Sequence, residues 1–136
     1  MLMDYQQDTA IVMLSRGDDK DVELITSLLE KVGLRVLSSS NTNDALEHFR
    51  VAGDSVRLLI IDEGASPAIT PGFLERVHSA NPRIRILLIS ERDPSDPGQS
   101  WITQANIRVR LKKPFRRAKF LGSVLEIIGE PLVRTA

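Results

Sequence analysis

Apolar runs bounded by polar residues recur along the 136-residue chain and predict five buried β-strands. Continuous apolar runs of about four to eight residues are typical of strands that helices cover on both faces. The second strand is the least marked, because it rests on a single apolar pair. The strands are predicted at Ala10 to Ser15, Val36-Leu37, Val56 to Ile61, Ile84 to Ile89 and Ile107 to Leu111.

Between the strands, apolar residues recur at intervals of three and four, which places them on one side of a helix. The first helix carries this pattern from Val22 to Val32, with Asp18 or Asp19 as its N-cap and Gly33 as its stop. The segment from Glu63 to Gly72 holds two prolines and two glycines and is predicted to be a loop. Further helices are predicted at Asn41 to Gly53, Phe73 to Asn81, Trp101 to Ala105 and Phe120 to Ile128, with Pro131 closing the last.

The alternation of strands and helices predicts an α/β fold, a doubly wound parallel sheet with helices on both faces. Residues 1–136, with a core of about residues 10–129, are expected to form one domain, because 42% hydrophobic content suits a single core. The absence of cysteine excludes disulfides, thiolate chemistry and cysteine-held metals. No apolar stretch approaches the roughly 18 residues of a membrane span, and the start does not resemble a signal peptide, so we expect a cytoplasmic protein with no membrane partner.

The formal net charge of zero conceals an uneven distribution of charge. Residues 1–63 carry 12 acidic and 6 basic residues, whereas residues 64–136 carry 6 and 12. A group of cations that we call the basic cluster lies in an acid-free stretch and consists of Arg108, Arg110, Lys112, Lys113, Arg116, Arg117 and Lys119. Such a cluster is either a binding surface for nucleic acid or an acidic protein, or a solvated surface. We favour the second interpretation and expect no direct nucleic-acid partner.

Polar side chains that can do chemistry follow three of the predicted strands. Asp62 follows the third strand and Ser90 the fourth, and Lys113-Pro114 comes shortly after the fifth. Open α/β sheets carry their functional groups at the carboxyl ends of the strands. Asp62 is therefore the leading candidate, with Ser90, Lys113 and the loop from Arg16 to Asp19 expected at the same edge. Each residue alone is also explained as an ordinary turn or capping residue.

With its surroundings, this set resembles the response-regulator receiver domain of two-component signalling, from about Ala10 to Ile128. The resemblance rests on the segments Leu58 to Asp62, Ile86 to Ser90, Lys112 to Phe115 and Leu28 to Leu34. It implies a flavodoxin-like, three-layer sandwich with strand order 2-1-3-4-5. It also implies a signalling module and not an enzyme.

The resemblance further implies a role for each candidate residue. Asp62 would accept a phosphoryl group, Ser90 would be the switch hydroxyl, and Lys113 would pair with the phosphate and precede a cis peptide bond to Pro114. A carboxylate can attack phosphorus when the charge on the transferring group is neutralised. A histidine kinase or phosphotransfer protein would be the donor, and a downstream protein would bind the face of the fourth and fifth predicted helices.

The chain departs from receiver domains where they place two acidic residues that hold Mg²⁺ with the acceptor. Ungapped alignment of the first helix puts Arg16 and Gly17 at those positions. A slightly longer loop would bring back Asp18 and Asp19, which with Asp62 are then the candidate Mg²⁺ ligands. In the other interpretation, Arg16 pairs with Asp62 and replaces the metal.

Further departures concern the surfaces that partners would contact. Arg110 stands where receiver domains commonly have a switch tyrosine or phenylalanine, and it alternates with Arg108 and Lys112, which predicts three cations on one side of the strand. Leu125 and Ile128, with the basic cluster, are candidates for a homodimer surface on the last helix.

Three hypotheses follow from the sequence. The first is a receiver that is phosphorylated on Asp62, and the second is a pseudo-receiver that binds proteins without phosphorylation. The third, a small flavodoxin-like or nucleotide-binding protein, is disfavoured because Ser15 to Asp19 holds one glycine and no phosphate-binding loop. Since eight residues follow Ile128, no output domain is expected, and the chain is either a stand-alone receiver or part of a larger regulator.

Overall fold

The computed structural model describes residues 9–15, 20–63, 70–91 and 107–129. These residues form one parallel sheet with the strand order β2-β1-β3-β4-β5. The strands are β1 (Ala10–Leu14), β2 (Arg35–Ser39), β3 (Val56–Asp62), β4 (Arg85–Ser90) and β5 (Ile107–Lys112). The predicted doubly wound, flavodoxin-like sheet and its strand order are confirmed.

Four helices flank the sheet in the described part of the chain: α1 (Lys20–Lys31), α2 (Thr42–Ala52), α3 (Pro71–Ala80) and α4 (Arg117–Gly129). A short 3-10 turn, Gly53–Ser55, follows α2. Of these helices, none is long and apolar enough to cross a membrane. The helix predicted from Trp101 to Ala105 lies outside the described residues, and it was to form half of the predicted partner face. The predicted stop at Pro131 and the predicted cap at Asp18 or Asp19 also lie outside them.

Local signals in the sequence set the ends of α1 and α2. Gly33 follows α1 with φ of 91°, a left-handed conformation that glycine adopts without strain. At the start of α2, the Asn41 side chain accepts a hydrogen bond from the Asp44 backbone N–H at 2.8 Å. This bond satisfies one of the amide donors that a helix start leaves without an intrahelical acceptor.

The third helix begins earlier than the sequence predicted. The loop was expected to run through Gly72, but α3 begins at Pro71. Thr70 caps the helix by accepting a hydrogen bond from the Phe73 N–H at 3.1 Å. Proline is favoured at the first helical position because it has no N–H to leave unsatisfied there. The Thr-Pro pair was thus a helix start and not part of a loop.

Two apolar layers enclose the sheet. On one face, α2 and α3 cover the strands with Ala45, Phe49, Phe73, Leu74 and Val77. On the other face, α1 and α4 contribute Ile25, Leu29, Phe120, Val124, Ile127 and Ile128. Because both faces are covered, every residue of β1 is fully buried. The result is the predicted three-layer arrangement, with the sheet between two layers of helices.

The dimer surface predicted on α4 included two apolar residues, and the prediction is wrong for one of them. Leu125 is 36% exposed, but Ile128 is only 2% exposed and belongs to the core beneath the helix. Helical residues three apart point in similar directions, but α4 packs on the sheet with a broad apolar face that takes in Ile128. A homodimer through this helix cannot use Ile128.

Candidate functional site

The carboxyl ends of β3, β4 and β5 bring the sequence candidates to one edge of the sheet. Asp62 is the last residue of β3, Ser90 is the last residue of β4, and Lys113 follows β5 directly. In the parallel register, Asp62 pairs with Ile89 and Ser90 pairs with Lys112. The candidate residues therefore occupy neighbouring positions on three adjacent strands.

A charged contact joins Asp62 to Lys113. Lys113 Nζ donates a hydrogen bond to Asp62 Oδ2 at 3.0 Å. Asp62 is 5% exposed, so its carboxylate has lost most of its hydration. An ammonium at hydrogen-bond distance compensates for that loss. The candidate acceptor is thus a shielded carboxylate with a positive charge beside it.

The backbone around Lys113 holds its side chain towards Asp62. The Lys113-Pro114 peptide bond is cis, as the resemblance implied. The Lys113 N–H donates to the Ser90 carbonyl oxygen at 2.8 Å, which ties the loop to the end of β4. Beyond it, the Phe115 ring stacks on buried Phe120 with centroids 5.5 Å apart. The loop is therefore attached both to the sheet and to α4.

The hydroxyl of Ser90 is engaged by a residue that the sequence analysis did not single out. Ser90 Oγ donates a hydrogen bond to Glu63 Oε1. Glu63 is half-buried and directly follows Asp62, whereas Ser90 is 3% exposed. Aligned end to end, the apolar runs of β3 and β4 would put Asp62 opposite Ser90, but the sheet pairs Asp62 with Ile89 and so brings Glu63 level with Ser90. Glu63 was treated as the first residue of a loop, and the apolar pattern gave no signal of this contact.

A second acidic residue missed by sequence reasoning contacts Lys113. Asp21 lies in the first turn of α1, and its Oδ2 is 3.4 Å from Lys113 Nζ. Its side chain is 46% exposed, compared with 7% for Asp62 and 16% for Lys113. Lys113 therefore bridges a buried and a half-exposed carboxylate. The acidic residues around the start of α1 drew attention to Asp18 and Asp19, and Asp21, in the first turn of the helix, was overlooked.

Of the residues predicted to hold Mg²⁺, Asp62 is among those that the structure describes. Asp18, Asp19 and Arg16 lie outside the described residues. Within residues 9–15, 20–63, 70–91 and 107–129, no three acidic, histidine or cysteine residues form a metal-binding group. The carboxylates of Asp62 and Asp21 nevertheless both contact the Lys113 ammonium and so lie near each other. Mg²⁺ is often held by one or two carboxylates with water and phosphate oxygens. The carboxylates of Asp62 and Asp21 are therefore a donor set that fits Mg²⁺.

The cations of β5 do not follow one regular alternation. The register between β4 and β5 shifts next to Arg108, so the alternation that predicted three cations on one side is interrupted there. Arg110 pairs with Leu88 and is half-buried, whereas Arg108 and Lys112 are exposed. Arg110 thus stands two register positions before the pair formed by Ser90 and Lys112.

Comparison with solved structures shows that the chain has the fold of response-regulator receiver domains. A response regulator from Thermotoga maritima is 22% identical, with a TM-score of 0.71 over 90% of this chain and 99% of that one. The receiver domain of the hybrid histidine kinase CckA is 17% identical, with a TM-score of 0.67 over 88% and 98%. CheY of Borrelia burgdorferi, solved with CheX, BeF3 and Mg²⁺, is 13% identical, with a TM-score of 0.70 over 90% of each chain.

No protein-family model and no curated protein matches the sequence. The similarity to solved structures therefore defines the receiver fold, and the geometry of the site has to support any statement about function.

Proposed function

We propose that the chain is a single receiver-like domain of residues 1–136, a cytoplasmic module of two-component signalling that accepts a phosphoryl group on Asp62. The observation that carries this proposal is the contact of 3.0 Å between Lys113 Nζ and Asp62 Oδ2 at the carboxyl edge of a receiver fold. A buried carboxylate beside an ammonium is suited to phosphoryl transfer, in which positioning and charge neutralisation do most of the work.

In the transfer step, a carboxylate oxygen of Asp62 donates an electron pair to phosphorus, and the donor's leaving group departs with the electrons of the broken bond. The Lys113 ammonium lies close enough to Asp62 to neutralise charge on the phosphoryl oxygens. The Ser90 hydroxyl can then donate to one of these oxygens, since charge-assisted hydrogen bonds are stronger than neutral ones. A change of partner at Ser90 would be the event that alters the surface nearby.

Mg²⁺ would add positive charge at the same edge when bound. Asp62 and Asp21 would hold it, with the predicted ligands Asp18 and Asp19 as further candidates. The donor would be a histidine kinase or a phosphotransfer protein, and the reader a protein that binds near β5 and the last helix. The presence of a CheX complex and a hybrid-kinase receiver among the structural neighbours supports partners of this kind.

Intact-mass analysis after incubation with acetyl phosphate and Mg²⁺ tests the proposal. A phosphoryl adduct is expected on the wild type and is expected to be lost in Asp62→Asn. Asp54→Asn is the matched control, because Asp54 is an exposed aspartate in the turn before β3 and should leave the adduct unchanged. An adduct of equal yield in Asp62→Asn would contradict the assignment of the acceptor.

The second candidate is a pseudo-receiver that binds its partner without phosphorylation. The observation that favours it is the engagement of Ser90 by Glu63, because a carboxylate already occupies the hydroxyl that would sense phosphate. This candidate predicts no adduct at any donor concentration and no binding of Mg²⁺. Isothermal titration with Mg²⁺ alongside the mass measurement separates the two candidates.

A further inference from the structure

We propose that Glu63 competes with the phosphoryl group for the hydroxyl of Ser90, and so sets how readily Asp62 is phosphorylated. This inference rests on the proposed function and assigns a role in it to a residue outside the acceptor, lysine and hydroxyl set. Glu63 acts through Ser90 and is a positioning residue. Its carboxylate occupies Ser90 before any phosphoryl group arrives.

The location of Glu63 follows from strand register. Asp62, the last residue of β3, pairs with Ile89 of β4, so the residues that come next in the chain, Glu63 and Ser90, lie side by side. The hydroxyl of Ser90 donates to Oε1 of Glu63 there. Ser90 is buried and Glu63 is half-buried, so the contact lies within the site and away from bulk solvent.

Competition follows from the chemistry of a hydroxyl group. Ser90 has one hydroxyl proton and can donate it to one strong acceptor at a time. The carboxylate of Glu63 and a phosphoryl oxygen on Asp62 are both anionic acceptors. When Ser90 turns to the phosphoryl group, Glu63 loses a charge-assisted hydrogen bond and must find another position.

Charge repulsion adds to this effect. A phosphoryl donor is anionic, and the carboxylate of Glu63 directly follows Asp62 in the chain. Like charges at short range disfavour each other, more so where water is partly excluded. Lys113 already contacts both Asp62 and Asp21, so its positive charge is shared before the donor arrives. Removing the charge of Glu63 should therefore lower the barrier to transfer.

The test measures the initial rate of adduct formation by intact mass at fixed acetyl phosphate and Mg²⁺. Glu63→Gln keeps an oxygen acceptor and removes the charge, and it should react about fivefold faster than the wild type. Glu63→Ala removes charge and acceptor together and should be at least as fast. Glu126→Gln is the matched control, because Glu126 is exposed near the end of α4, which contacts Arg85 at the start of β4 and lies away from the site, and this variant should keep the wild-type rate.

A second comparison separates positioning from a general effect of charge. In a Ser90→Ala background, the acceleration by Glu63→Ala should shrink to less than about twofold, because the hydroxyl for which the groups compete is gone. A residue with a merely structural role would not show this dependence. Circular dichroism melting of each variant checks that the fold is retained.

Each outcome decides the proposal. Faster adduct formation in both Glu63 variants, or an adduct in these variants alone, supports it. Equal rates in the wild type, Glu63→Gln and Glu63→Ala overturn it while leaving Asp62 as acceptor, as does an acceleration that persists in the Ser90→Ala background. Absence of an adduct from the wild type and every variant overturns the proposed function and this inference with it.

Discussion

Replacing Lys113 by methionine tests whether the ammonium is needed to keep Asp62 buried. Methionine keeps an unbranched apolar stem and removes the charge, so packing changes little. Asp62 is 5% exposed and its Oδ2 is 3.0 Å from Lys113 Nζ. Removing one partner of a buried ion pair costs about 3–5 kcal/mol, because the other charge stays buried without compensation.

The expected loss lies below that range for two structural reasons. The Lys113 side chain is 16% exposed, so solvent screens the pair in part. Lys113 also contacts Asp21, which is half-exposed and regains water when the ammonium is removed. We therefore expect Lys113→Met to lower the free energy of unfolding by about 2 kcal/mol, and Tm by about 8 °C for a domain of this size.

Urea denaturation of four proteins measures this effect: the wild type, Lys113→Met, Asp62→Asn and the double variant. In the Asp62→Asn background no buried carboxylate is left at position 62, so Lys113→Met should cost less than about 0.5 kcal/mol. The difference between the two costs is the coupling between the side chains. An equal cost of Lys113→Met in both backgrounds would refute the view that the ammonium compensates the burial of Asp62.

The remaining predictions concern residues outside the site that affect the stability of the fold. Gly33→Ala should destabilise the protein by about 1 kcal/mol, because Gly33 has φ of 91°, which alanine adopts only with strain. Gly122→Ala should stabilise it by about 0.5 kcal/mol, because the alanine Cβ would meet open space and alanine favours the helix more than glycine does. Asn81→Ala should cost about 2 kcal/mol, because buried Asn81 Nδ2 donates to the Val56 carbonyl oxygen at 2.7 Å and the variant leaves that acceptor unsatisfied. Thermal and urea denaturation measure all three; a stabilising Gly33→Ala, a destabilising Gly122→Ala or a neutral Asn81→Ala would contradict these assignments.

The sheet was predictable because its strands are buried on both faces. Such strands appear in the sequence as continuous apolar runs, and the alternation with helices leaves few possible topologies. The boundary of α3 was missed because Pro71 and Gly72 suggest a loop in isolation. In the structure Pro71 is the first helical residue, behind the Thr70 cap.

The contacts of the site were only partly predictable. Asp62, Ser90 and Lys113 each end or follow a strand, and that position alone places them at one edge. The hydrogen bond from Ser90 to Glu63 and the contact of Asp21 with Lys113 depend on side-chain direction and on where α1 begins. Neither is fixed by hydrophobic periodicity, which specifies the apolar face of an element and says little about polar residues at its ends.

Chemical trapping of the phosphorylated side chain identifies the acceptor residue. After incubation with acetyl phosphate and Mg²⁺, borohydride reduces an aspartyl phosphate to homoserine, and peptide mass spectrometry locates the modified residue. We expect homoserine at position 62 in the wild type and at no other aspartate. Modification of Glu63 or of another acidic residue in place of Asp62 would contradict it.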